Sequence, residues 1–236
     1  MVAKAVKEVG PGRSVGKNAF LSYFLGIIIA FFSCLLLART TFPGDYSILE
    51  HSVSTLGVLE ENPHGWFFFT MALWIASIGL LPYYAVLFKQ LRPINKPLAI
   101  LMLLLYAITS IGMFMAGTFQ EGSTFRQLHL LSAYFGFGGF FLAGIFTWIL
   151  VGLKLSSMPE KRSTHVAWFL IAIVTLSTGA ALFITHLLLE ATIDLHFSGE
   201  PLGPFIGFPF TEWLLVITIF IDKLLIGLII ASFLPR

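Results

Sequence analysis

Six uninterrupted apolar runs divide this sequence, at about Phe20 to Ala38, Trp66 to Phe88, Leu98 to Thr118, Leu128 to Leu153, Val166 to Leu189 and Trp213 to Leu234. Each is long enough to cross a bilayer as a helix, which takes about 20 predominantly apolar residues. A transmembrane barrel needs alternating polarity over strands of about 10 residues, and continuous runs exclude it. Composition agrees, since 57% of the 236 residues are hydrophobic, 11% are charged and mean hydropathy is +0.91. A soluble domain carries about 25% charged residues, so too few remain here to coat a surface facing water. The predicted fold class is an all-α integral membrane protein, one six-helix transmembrane bundle over residues 20–236 behind a cytoplasmic tail of residues 1–19. A soluble enzyme, a nucleic-acid binder and a large secreted domain are excluded. The single cysteine, Cys34, permits no internal disulfide.

Basic residues near span ends stay on the cytoplasmic side. Eleven of the 14 Lys and Arg residues fall on one side, in the N-terminal tail, the second loop (Lys89, Arg92, Lys96), the fourth loop (Lys154, Lys161, Arg162) and at Arg236. The other side has Arg39 and Arg126, and Lys223 lies inside the last run. Both termini are therefore expected in the cytoplasm. The first run, with its long polar preamble and no A-x-A-like site after it, reads as an uncleaved signal anchor.

The remaining ionisable groups collect outside. Five of the six histidines lie there, His51, His64, His129, His186 and His196, together with most of the carboxylates. In the first outer loop, Ser47-Ile-Leu-Glu50 has the capping-box pattern, Leu49, Val53 and Leu56 form an apolar stripe, and Gly57 can end a helix. A short amphipathic helix is predicted there, with Glu50 as a cap and His51 on its polar face. Thr124-Phe-Arg-Gln127 is a second capping pattern, so the fourth helix starts before its apolar run and places His129 in its first turns. Ser132 with Gly136, and Gly139 with Ala143, are small-residue pairs suited to close helix packing.

On the fifth helix His186, Glu190 and Asp194 recur at i, i+4 and i+8. A histidine with two carboxylates on one stripe can bind a divalent metal such as zinc, or hold a base that activates water. His129 and His51 are the further candidate ligands. Haem between His129 and His186 is conceivable, but nothing else in the sequence speaks for it. The loop from Leu195 to Thr211 mixes Pro201, Pro204 and Pro209 with glycines and aromatics, which suits an interfacial anchor or a lid better than a helix. Asp222 and Lys223 sit near the middle of the last run, where a charge costs about 2.5–3.5 kcal/mol on insertion scales. Sequence neighbours on a helix point about 100° apart, so the two need not pair with each other. Thr218 lies one turn before Asp222. Pro82 is placed to kink the second span.

The stretch Asp45 to Gly57, followed by Asn62-Pro63 and an aromatic span, then Gly117-Thr-Phe-Gln120 and His129, resembles small six-span proteins of the Frag/DRAM/Sfk type and a related uncharacterised prokaryotic membrane family. The similarity runs over about residues 41–153, and the Pro-rich last outer loop has no counterpart in it. The resemblance implies a compact six-helix membrane protein with cytoplasmic termini, linked to lipid distribution, lipid-anchor remodelling or trafficking. The matching positions are Ser52, Ser54, Gly57, Phe119 and His129.

Three functional expectations follow. The first is a lipid or amphipath bound from the outer leaflet in a polar vestibule, with Ser52, Ser54, Thr218, Asp222 and Lys223 as candidate ligand contacts and membrane lipid as the partner. The second is a metal-dependent hydrolase or acyl-transfer enzyme built on His51, His129, His186, Glu190 and Asp194. The third is a proton or ion pathway through Asp222 and Lys223.

Overall fold

The computed structural model describes residues 15–120, 125–157, 162–196 and 208–235. Among them every regular element is helical: α1 (Lys17–Thr40), a one-turn 3-10 helix (Ser54–Gly57), α2 (Trp66–Gly79), α3 (Leu81–Leu91), α4 (Lys96–Thr118), α5 (Arg126–Ser156), α6 (Arg162–His196) and α7 (Phe208–Ala231). Five segments are long and apolar enough to cross a membrane, namely α1, α2 with α3, α4, α5 and Pro209–Ala231 of α7. Helix α6 has 35 residues, and its apolar stretch, Phe169–Thr185, is shorter. Large apolar side chains stand outward, with Ile29, Ile111 and Val174 each at least 60% exposed. Outward-facing aliphatic side chains on long helices suit hydrocarbon, and the protein is an integral membrane protein.

The second span is broken where Pro82 enters. Proline has no N–H and its ring crowds the carbonyl four residues earlier, so α2 stops at Gly79 and α3 starts at Leu81. From α1, the Tyr23 hydroxyl donates to the Gly79 carbonyl at the break (2.7 Å). Beyond it Tyr83 and Tyr84 are fully buried, Tyr83 stacked on Phe24 of α1 and Tyr84 on Tyr106 of α4.

Helices α4 and α5 form the closest pair. A Cβ on Gly112 would overlap the backbone of Ser132 and Gly136, and one on Gly139 would meet Thr109. The small residues therefore let the two backbones touch, the role their spacing predicts. Gly179 of α6 instead makes room for side chains, those of Phe141 on α5 and Thr218 on α7.

One end of the bundle is closed by polar contacts between described chain ends and loops. Lys17 N–H donates to the Pro235 carbonyl (2.9 Å), and Lys154 Nζ donates to the carbonyl and the side chain of Gln90 (3.0 and 3.2 Å) while lying over the Phe233 ring. The other end carries the loop between α1 and α2.

That loop differs from its prediction. The Ser47 carbonyl accepts from the N–H groups of Glu50 and His51, and the Ser47 hydroxyl accepts from Leu49 instead of Glu50. The chain thus makes a single turn, then the 3-10 helix that ends at Gly57, and the amphipathic helix does not form. The reason is competition for polar partners. Tyr46, Asn62 and Glu212 offer the loop long-range hydrogen bonds that a regular helix would forgo, and Asn62 Nδ2 donates to the carbonyls of both Ala38 and Leu56 (2.9 Å each). The Thr124 capping pattern and residues 197–207 of the Pro-rich loop lie outside the described residues, while Pro209 falls in the first turn of α7.

Candidate functional site

At the loop end, Ser54 donates both its backbone N–H (3.3 Å) and its hydroxyl (3.2 Å) to Oε2 of Glu212, in the first turns of α7. Both residues are buried. These two bonds tie the loop to α7 across 158 residues of sequence. Behind Ser54 a chain of hydroxyls continues, Ser54 to Ser52 (2.8 Å) and Ser52 to Thr55 (2.8 Å). The 3-10 turn makes this possible by bringing three consecutive small polar residues round one corner.

Tyr46 and Trp213 lock the outer side of the same joint. Trp213 Nε1 donates to the Tyr46 oxygen (3.0 Å), and the Tyr46 hydroxyl donates to the Ser52 carbonyl (2.8 Å). Burial holds the Tyr46 phenol well above the ordinary tyrosine range; the hydrogen bond from Trp213 and the charge of Arg39 partly offset it, and the nearby Glu212 charge adds to it. The His51 ring stacks on Tyr46 and its Nδ1 lies 3.3 Å from the Ser47 carbonyl, so His51 is a wall of this joint.

His129 is 4% exposed and belongs to α5, but its bonding belongs to α4. Its Nδ1 meets the carbonyls of Ala116 (2.9 Å) and Phe119 (2.7 Å), which the end of α4 leaves without helical partners. Carbonyls only accept, so Nδ1 carries a proton and donates to them.

Between these groups lies a narrow cavity of about 30 Å³, open at one side. Its walls are apolar side chains of five helices, among them Phe31, Leu35, Phe69, Leu73, Met113, Phe137, Val216 and Phe220. Three of the 17 lining residues are polar: Ser54, His129 and Glu212. The positions singled out by the resemblance gather around this cavity. Ser54 holds Glu212 with Ser52 bonded behind it, Gly57 leaves room for the Phe69 ring, and the Phe119 carbonyl receives His129.

Asp222 and Lys223 lie elsewhere in the core, and here the adjacent residues do pair, Nζ to Oδ2 at 3.0 Å. The long lysine chain bends back far enough to close the angle between neighbours. Trp148 Nε1 donates to the other carboxylate oxygen (2.8 Å). Lys223 Nζ also donates to the Tyr106 hydroxyl (3.2 Å), which is hydrogen-bonded to Thr147 (2.9 Å), which donates to the Ala143 carbonyl. Tyr83 donates to the Lys223 carbonyl (2.8 Å). Helices α3, α4, α5 and α7 are thus joined through one buried network. The gap beside it, bounded by Phe140, Leu176 and Thr218, does not admit a water molecule.

Of the sequence candidates, Ser54 and His129 come together at the cavity, with Ser52 one hydrogen bond behind. Asp222, Lys223 and Thr218 form a separate group, and His51 faces Tyr46. His186, Glu190 and Asp194 are on α6 and their side chains lie outside the described residues. Among the described residues no three His, Cys, Asp or Glu side chains converge as metal ligands. Glu212 and Tyr46 were not anticipated as site residues. A carboxylate near the start of an apolar helix reads as an ordinary outer-boundary charge, and only the fold brings Ser54 to it across 158 residues.

Residues 24–221 match a protein family described as "Protein of unknown function (DUF998)". No curated protein and no solved structure matches the chain.

Proposed function

We propose that this chain, which belongs to the DUF998 family of unknown function, holds one hydrocarbon chain of a membrane amphiphile in the cavity at the loop end, with the head at Ser54, His129 and Glu212. The observation that carries this reading is the division of the cavity itself, apolar along its length and polar at three residues from the loop, α5 and α7. An apolar channel beside lipid gains little from water, whereas a methylene chain fills it at no hydrogen-bonding cost. In the proposed arrangement α6, about 52 Å long at about 1.5 Å per residue, is the sixth span of a single bundle. The loop end then faces outward and the Lys17–Pro235 end faces the cytoplasm, as the basic residues require.

The metal-dependent reading rests on His186, Glu190 and Asp194, whose side chains lie outside the described residues, and the network around Asp222 is internally paired, as an assembly contact would be. Native mass spectrometry of protein extracted without delipidation tests the proposal. Bound lipid is expected in the wild type and is expected to be lost in Val216→Trp, which fills the cavity. A wild type free of lipid, or a Val216→Trp variant that retains it, would exclude the cavity as the site.

A further inference from the structure

We infer that a groove on the membrane face of α2 is a second site for the same hydrocarbon chain, which passes from it into the cavity when the seam between α1 and α2 parts. This deepens the chain-binding reading and rests on it. Helix α2 divides two spaces. Phe69, Leu73 and Ala76 face the cavity, while Met71, Ile75 and Ile78, two residues on from each and so about 200° round the helix, line the groove with Ile27, Trp74 and Gly79. The groove has about 360 Å³ of room and the cavity about 30 Å³. The groove lining is apolar, the Trp74 indole N–H being spent on the Thr118 hydroxyl (3.2 Å), and Ile78 is exposed beside it, so in a bilayer hydrocarbon fills it. The cavity as it stands has room for only about two water molecules, and a methylene chain enters when one wall gives. The walls are not equally free. Helices α4 and α5 meet backbone to backbone at Gly112, and α7 is bonded to both through Asp222 and Lys223. Helix α2, by contrast, has 14 residues and is cut from α3 at Pro82, which makes that break a hinge. A Cβ on Gly117 would crowd Leu73, a closeness that keeps α2 against α4. On the α1 side, beside the break, the Tyr23 hydroxyl donates to the Gly79 carbonyl (2.7 Å) and the Ile27 side chain lies over Gly79. Phe31 and Leu35 of the cavity follow one and two turns along α1, so this seam joins the two spaces.

The experiment locks that seam. A Cβ on Gly79 would lie 2.6 and 3.4 Å from carbons of the Ile27 side chain, so Ile27→Cys with Gly79→Cys, in a Cys34→Ser background, is placed to form a disulfide. Hexadecanol carrying a photoreactive diazirine is added to nanodiscs holding the full chain, which are irradiated at intervals, and labelled residues are mapped by mass spectrometry. In the wild type, labelling of Met71 and Trp74 in the groove is expected to exceed that of Ile111, an exposed residue of α4, several-fold. It is expected to precede labelling of Val216 and Phe220 on the cavity wall. In the oxidised double variant cavity labelling is expected to fall several-fold while groove labelling persists, and reduction is expected to restore it. Equal cavity labelling in the oxidised and reduced forms would overturn the passage and leave the chain site standing. Groove labelling no higher than at Ile111 would overturn the groove as a site. A cavity wall unlabelled in the wild type would overturn the chain-binding reading itself. Should the cysteine pair disturb folding, Tyr23→Phe keeps the test: losing the bond to Gly79 is expected to speed cavity labelling, and an unchanged rate would overturn the route.

Discussion

Single residues at two places decide how polar atoms survive in this core. Asp222 pairs with and orients Lys223, and Trp148 and Tyr106 complete the set. Removing one member of a buried ion pair costs about 3–5 kcal/mol, because the other charge is left stranded. Asp222→Ala is therefore expected to lower the thermal unfolding temperature in detergent sharply. Asp222→Ala with Lys223→Met is expected to recover most of the loss, because no charge remains to be compensated. A double variant as unstable as the single would show that the network holds the helices by something other than charge balance. The sequence made the presence of these charges conspicuous, but not their pairing. Ideal helix angles separate neighbours, and only the reach of a lysine side chain in a confined space reverses that expectation.

Among the elements, the α4–α5 contact is set by backbone proximity. Gly112 has Gly136 and Ser132 backbone where its Cβ would be, while Gly26 on α1 faces open space. Gly112→Ala is expected to force the helices apart and reduce the folded yield on size-exclusion chromatography. Gly26→Ala is expected to be neutral or to stabilise by up to about 1 kcal/mol through helix propensity. The reverse ranking would place the tight contact elsewhere. Helices were the most legible part of the sequence, since apolar runs and proline mark them directly, and Pro82 broke the second span as its chemistry requires. The first loop was less legible. Its capping pattern and apolar stripe are local signals, and Asn62, Tyr46 and Glu212 outbid them from 6, 6 and 158 residues away. His129 was visible as a polar residue near a helix start, but not its use as the partner for the end of α4.

Viewed whole, the molecule has a polar joint at one end and a hydrogen-bonded closure at the other, and its placement in the membrane can be read chemically. In a Cys34→Ser background, Glu60→Cys is expected to react with a membrane-impermeant maleimide on intact cells, whereas Lys96→Cys is expected to react only after permeabilisation. Both positions are exposed, so burial would not confuse the result. Labelling of both from one side would reject the proposed topology. The adjacency of Asp222 and Lys223 has a consequence for how the protein is made. Because the acid and the base are consecutive residues of one helix, the middle of α7 carries its own counter-ion and can enter the bilayer without net charge at its centre, before it packs against α4 and α5. Insertion then need not wait for packing: the last helix can enter paired within itself and be matched to Trp148 and Tyr106 afterwards.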